Sequence, residues 1–339
     1  MRPTSVRSLC FFLLAPWLAP AQGPRIGVLD FYGLGKVPEE RLRKALPFRE
    51  GDTLPRSKGD VEEALEKVPG VVRARLQATC CEETKAVLYI GVEEKGAAHF
   101  EYRPPPTSPV RLPEEIHEAY ARFLDAVGRA ARAGETAEDL SQGHSLLADR
   151  AGRAQQERFL VLAELHLRSI RDVLRNSDDE EQRAIAAYVI GYAPRKHDVL
   201  EDLQYALRDS DDTVRNNAIR ALGAIAVLAA RDPERDLRIS PTWLIEMLHS
   251  LIWSDRNTAA VALVNLTEKG DSRVLDHLRE RALAPLLEMA LWKHLPHALP
   301  AYILLSRAVG MAEKESQEAW ARGDRQAVLD RARKLMPRR

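Results

Sequence analysis

The pattern of apolar and polar positions repeats along the chain. Residues 207–226, LRDSDDTVRNNAIRALGAIA, read as a helix end, an acidic turn and a second helix whose apolar residues fall three and four apart. The run RAIAAYVIG from Arg183 aligns with RNNAIRALG from Arg215, a spacing of 32 residues, and a third copy, RNTAAVALVNL, starts 41 residues later at Arg256. A degraded fourth copy without the arginine covers 298–309. First helices align too: Val199, Leu200, Leu203, Ala206 and Leu207 have counterparts in Leu167, Ile170, Val173 and Leu174, with His166 breaking the match, and Leu244, Ile245, Leu248, Leu251 and Ile252 keep the spacing. The longer second interval places an insertion mainly in 231–240. A unit that recurs in this way stacks on its copies, because alone it cannot bury its apolar face. The pattern therefore predicts an all-α solenoid over 154–312.

Within each unit, Asp178-Asp179, Asp211-Asp212 and Ser254-Asp255 read as acceptors capping the second helix, and Ala218, Ala221 and Gly223 as small residues that let helices approach. Upstream, 114–153 reads as helical, with a stripe of Ile116, Tyr120, Phe123, Leu124 and Val127 and a second helix from Ala137 carrying Leu140, Leu146 and Leu147. Downstream, 313–339 reads as one charged capping helix with Trp320, Val328, Leu329 and Leu335 on one side.

The period changes before residue 96. A β-prone run at 26–31 leads through Gly33 and Gly35 to Pro38-Glu39-Glu40, which opens a helix with Leu42, Ala45 and Leu46 on one side. A second helix from Ser57 carries Val61, Ala64, Leu65 and Val68 and stops at Pro69-Gly70. Val72, Ala74, Leu76, Ala78 and Cys80 then alternate with polar residues, as in a strand with one wet face, and AVLYIGVEEK returns as its partner. The domain predicted over 24–95 is a β-α-α-β-β unit. Five prolines in RPPPTSPVRLP, 103–113, make 96–113 an extended linker.

Two families are similar to these segments. Gly33, Val37-Pro38-Glu39, Gly51-Asp52, Leu65, Val68-Pro69-Gly70-Val71-Val72 and Val92-Glu93-Glu94 resemble the POTRA domain of outer-membrane barrel-assembly and related envelope proteins. That resemblance implies a small polypeptide-binding module, often one that adds a strand to its sheet edge; no transmembrane barrel follows it here. The acidic turn, the arginine after it and the AxxALGxI tail of 207–226 resemble HEAT-like repeats, including the variant found in phycobilin lyases. This second resemblance implies partner binding on a concave face built by second helices, with Arg183, Asn216, Asn217, Arg220 and Asn257 as candidates. The alternative for the arginines is an internal ladder with the acidic turns.

Composition adds compartment and exclusions. With 50 basic and 50 acidic residues among 339, the chain offers no overall electrostatic case for nucleic acid. Arg2 and Arg7, an apolar run over 9–19 and Ala19-Pro20-Ala21 read as a signal peptide over 1–21, too short and too proline-broken for a membrane span. The mature chain is expected in the periplasm or outside the cell, with no later span. Cys80 and Cys81 are adjacent, which makes a mutual disulfide awkward. His117-Glu118 lacks the second histidine of HExxH, because Ala121 stands in its place. His294 and His297 flank Pro296 without a third ligand, and Gly33 to Lys36 is a turn rather than a phosphate loop. No catalytic, cofactor or metal residues are assigned. The leading function is an exported, non-enzymatic protein-interaction scaffold. The alternatives are a lyase-like or other small-molecule-binding solenoid and a structural subunit of an envelope assembly.

Overall fold

The structure is a computed structural model that describes residues 24–82 and 85–336, the side chains of 80–82 excepted. The leader expected over 1–21, the thiols of Cys80 and Cys81 and the last three residues of the tail lie outside the described residues. The protein is a small α+β unit followed by a long array of helices that forms a HEAT-like solenoid.

The N-terminal unit runs β1 (Ile26–Tyr32), α1 (Glu39–Ala45), α2 (Lys58–Glu66), β2 (Val71–Glu82) and β3 (Lys85–Glu94). The sheet order is β1-β3-β2, with β3 parallel to β1 and antiparallel to β2. β3 takes the centre because its run of Ala86 to Val92 is apolar on both faces, the pattern of a strand covered twice. Leu88, Ile90 and Val92 pack with Leu42, Val61 and Leu65 of the two helices. Val87, Tyr89 and Tyr32 enter the solenoid core instead. The face expected to be wet is thus largely covered, by the solenoid itself, with Arg73 of β2 left exposed, while Val72 and Ala78 of the apolar alternation are exposed as well.

The solenoid opens with α3 (Glu114–Ala133), a hairpin of β4 (Glu138–Asp139) and β5 (Leu146–Leu147), and α4 (Arg150–Leu165). The hairpin replaces the helix expected from Ala137. The Asp139 carboxylate accepts the Ser141 amide at 2.8 Å, and Gly143 turns the chain at φ 77° against Leu228 and Lys196, so local turn chemistry overrides the leucine spacing. Paired helices follow: α5 (Leu167–Asn176) with α6 (Glu180–Ile190), α7 (His197–Ala206) with α8 (Asp212–Arg231), and α9 (Thr242–Met247) with α10 (Trp253–Leu266). An additional helix, α11 (Ser272–Arg281), precedes the pair α12 (Leu283–Ala290) and α13 (Leu295–Ala308). α6, α8, α10 and α13 pack on one another in sequence as the row of second helices.

Asp179 and Asp211 cap α6 and α8 through their side chains. Ser254-Asp255 does not cap α10. That helix begins at Trp253, so Asp255 lies inside its first turn, fully buried against Arg215. The tail is two helices rather than one, α14 (Glu313–Ala321) and α15 (Gln326–Leu335), because Gly323 breaks it at φ 71°. Trp320 packs on Tyr302 and Val328 and Leu329 are buried, while Leu335 is exposed.

Residues 96–113 are extended, as their prolines require, but they do not span open solvent. The segment lies along the turns inside three successive units and crosses them in reverse order. The Tyr102 hydroxyl bonds Ser250 at 2.8 Å, the Arg103 amide donates to the Arg208 carbonyl at 2.7 Å, and Ser108 exchanges backbone bonds with Asn176 and Asp178. Phe100 and Leu112 are buried along the way. The segment is a strap, and every residue in it without an amide hydrogen is a proline that needs no donor satisfied.

Candidate functional site

Each unit's arginine reaches back to the carbonyl six residues earlier in its own turn: Arg183 to Ser177, Arg215 to Asp209 and Arg256 to Ser250. The rest of each guanidinium crosses to a carboxylate of the next unit, Asp209, Asp255 and Glu288 respectively, at 2.8–2.9 Å. Burial alone would lower the pKa of Arg215, but the Asp255 carboxylate holds it above its ordinary value. Tyr102 of the strap stacks on Arg215 and Tyr32 of β1 on Arg256, at 4.2 and 4.5 Å. This ladder takes Arg183 out of the candidate binding face. Its side chain is 1% exposed, with donors committed to Asp209 and Ser177.

The other four candidates sit on the row of second helices. Asn216 is used between units, donating to the Ser254 hydroxyl at 3.0 Å and accepting from Thr258 at 2.9 Å. Asn217, Arg220 and Asn257 come together on the wall of a pocket of about 250 Å³ between α6, α8 and α10, roofed by the β4–β5 hairpin. Helical spacing puts them there: Asn217, Arg220 and Ala221 share one face of α8, and Asn257, Val261 and Asn265 one face of α10. The floor and sides are mainly apolar, from Tyr188, Ile219 and Val261, the last 45% exposed. Arg220 closes the rim through an ion pair of 2.5 Å with Glu138 on the hairpin.

Sequence reasoning missed Glu138, His144, Tyr188 and Tyr192. The two tyrosines stand four apart, Tyr188 in the last turn of α6 and Tyr192 in the turn after it, which was a usable signal. The hairpin residues were hidden by the helix expected there. The Tyr188 and Tyr192 hydroxyls bond each other at 3.0 Å, and burial pushes the Tyr188 hydroxyl up to about 12. Behind the wall, Lys196 donates to the Gly191 carbonyl at 2.7 Å and lies 3.5 Å from His144 Nδ1. Burial lowers Lys196 to about 8, and burial together with Lys196 lowers His144 to about 4.

The His294–His297 pair lies elsewhere, where the sheet meets the solenoid. Pro296 does not spoil the helix, since it falls in the first turn of α13, where a missing amide hydrogen is tolerated. His297 Nδ1 bonds the Tyr89 hydroxyl at 2.8 Å, and Tyr89 stacks on Trp253 at 4.8 Å. Among the described residues no three His, Cys, Asp or Glu side chains are grouped to hold a metal ion. Nearby, the Gly33-Leu34 amides donate to Glu288 and the Gly35, Lys36 and Val37 amides to Glu94, so this glycine loop is filled by the protein's own carboxylates. No helix of the described residues is long and apolar enough to cross a membrane.

The architecture is that of an α-solenoid of HEAT-like units carrying an α+β module. In sequence, the family described as HEAT repeats matches residues 167–238, which hold α5 to α8 and the loop after them. No curated protein matches the chain. Among solved structures, the designed armadillo repeat protein YIII(Dq)4CqI is similar at 15% identity, covering 58% of this chain and 98% of its own, with a TM-score of 0.36. A second, YIII(Dq.V1)4CPAF in complex with peptide (KR)4, is similar at 14% identity over the same shares with a TM-score of 0.37.

Proposed function

We propose that the protein is an exported, non-enzymatic scaffold that binds partner polypeptides on the concave face of its second helices. The observation that carries this reading is the pocket at Asn217, Arg220 and Asn257: an apolar floor with polar groups at its rim, on a rigid helical row. Val261, 45% exposed beside it, adds an apolar contact of the kind that anchors a partner side chain. For the N-terminal module the POTRA reading is supported only by the β-α-α-β-β order of its elements. In this chain its strand edge is partly taken: Glu66 accepts the Ala74 amide at 3.0 Å and Glu62 the Leu76 amide at 2.7 Å. The reading therefore assigns the module chiefly to buttressing the solenoid, through Tyr32, Tyr89 and the strap. Export rests on the leader pattern over 1–21.

The test is affinity capture from an envelope extract with the mature chain and its Val261→Arg variant in parallel. A partner held by the parent and lost by the variant supports the reading. Equal capture by both, or none by either, overturns it. Export is checked separately by N-terminal sequencing of the cell-fractionated protein, which should begin near Gln22. The small-molecule-binding alternative is favoured by the pocket's size, since about 250 Å³ suits a fragment-sized ligand as well as one partner side chain.

A further inference from the structure

The pocket described above carries an imbalance of charge. On or directly behind its wall stand two cations, Lys196 and Arg220, the neutral imidazole of His144, and one acid that faces it, Glu138. A second nearby acid, Asp139, has its carboxylate turned to the Ser141 amide. Lys196 is 5% exposed, and its ammonium group meets the Gly191 carbonyl and His144 Nδ1, neither of them charged. A buried cation without a counter-charge is costly unless something supplies one. His144 is 7% exposed and belongs to the pocket wall, yet its Nε2 has no hydrogen-bond partner. Buried polar atoms are nearly always satisfied, so an orphan on a pocket wall marks a place for a ligand group.

We propose that this pocket is a carboxylate-recognition site for a small, apolar-bodied acid. The carboxylate meets Arg220 and His144 with Lys196 behind them, and the apolar body lies against Tyr188, Ile219 and Val261. A volume of about 250 Å³ holds one aromatic or aliphatic side chain with its acid group, and little more. Glu138 then acts as the internal stand-in: its ion pair with Arg220 pins the hairpin over the pocket, and the ligand's carboxylate competes for the same guanidinium. This inference deepens the scaffold reading, since the carboxylate can end a partner polypeptide; it can equally belong to a free organic acid, and the test separates the two sources.

The experiment is calorimetric titration of the mature chain with 3-phenylpropionate, with a short peptide ending in a free phenylalanine carboxylate, and with the primary amide of each. The acids should bind and their amides should bind at least about tenfold more weakly, the scale of a lost charged hydrogen bond. Arg220→Gln should weaken the acids by a similar factor, whereas Glu138→Gln should tighten them by removing the competitor. A merely structural ion pair would not give these opposite signs. Binding of the peptide acid alone assigns the site to chain ends, and binding of 3-phenylpropionate alone to free acids. Amides binding as tightly as acids, neither acid binding, or the two variants shifting affinity in the same direction would overturn the proposal. Amide binding that Val261→Arg abolishes leaves the scaffold reading standing while the carboxylate assignment fails.

Discussion

At the scale of single residues, the arginine that marks each unit is the most consequential feature of the fold. The spacing of Arg183, Arg215 and Arg256 was legible, and so was their possible use as a ladder. Their partners were not, because Asp209, Asp255 and Glu288 occupy three different places in the repeat: an inter-helix turn, the first turn of a second helix, and a first helix. A periodic sequence reveals what each copy does within itself and hides what it borrows from its neighbour. Asp255 is the sharpest case, since it accepts from Arg215, Ser250 and Tyr102 at once and is fully buried. Asp255→Ala leaves a buried guanidinium unpaired and should cost about 3–5 kcal/mol in urea unfolding. Replacing both partners, Arg215→Met with Asp255→Leu, should recover much of that loss, because the penalty belongs to the unpaired charge rather than to the missing pair. Glu39→Ala, which breaks the surface pair with Arg43, should leave the midpoint unchanged within error.

At the scale of elements, the sequence was most informative where one period ran uninterrupted. The paired helices from α5 to α10, the helix from Ser57 and the strands from Val71 and Lys85 follow from spacing, with caps adding to it at Ser57, Asp179 and Asp211. The hairpin over 138–147 is hidden in the sequence because Leu140, Leu146 and Leu147 suggest a helix, whereas the turn chemistry of Asp139, Ser141 and Gly143 decides the structure. That error also concealed the site, since the hairpin brings Glu138 and His144 to the pocket. The β2 edge shows a second device that no pattern announces. Glu62 and Glu66 project from α2 to take the Ala74 and Leu76 amides, and Arg75 holds both carboxylates in place. An edge strand with free donors invites pairing with another chain. Removing both acids, Glu62→Ala with Glu66→Ala, should therefore promote self-association, visible as a rise in sedimentation-average mass with concentration. A variant that stays at the parent's mass would show that the acids do not guard this edge.

At the scale of the whole molecule, the module and the solenoid share one core, and the sequence could not show this because the contact joins residues some two hundred positions apart. Two features of that junction can be tested. His297 is held at about 4, first by burial and then by its neighbour His294, whereas an unfolded histidine titrates near 6.5. Its neutral form is the one the fold accepts. Its contribution is thus complete above pH 6.5 and is lost as pH falls toward 4, because the unfolded chain takes up a proton that the folded one refuses. The ring is not fully buried, so after allowance for screening the loss should be about 1–2 kcal/mol. His297→Gln should flatten the stability profile between pH 7 and pH 4 relative to the parent, leaving the slope contributed by His144 and His249, which are shifted in the same direction.

The second feature is geometric. Gly91 lies in the middle of β3, where a Cβ would strike the Leu251 carbonyl and the Tyr32 ring and hydroxyl. The Tyr32 hydroxyl donates to that same carbonyl at 2.8 Å, so the glycine fixes how closely the sheet can seat on the solenoid. Gly91→Val adds bulk that backbone on the other side cannot yield to, and it keeps a residue well suited to a strand. The module should remain folded, because Leu88, Ile90 and Val92 face its own helices, while its seat on α10 opens and the strap at 96–113 loses its anchor at Tyr102. Limited proteolysis with trypsin should then cut the variant after Arg111, Arg103 being protected by Pro104, at protease levels that leave the parent intact, releasing the two parts as stable fragments. Cleavage spread through the solenoid instead would mean that the array needs the module seated on it to fold, and that the two parts form a single cooperative unit.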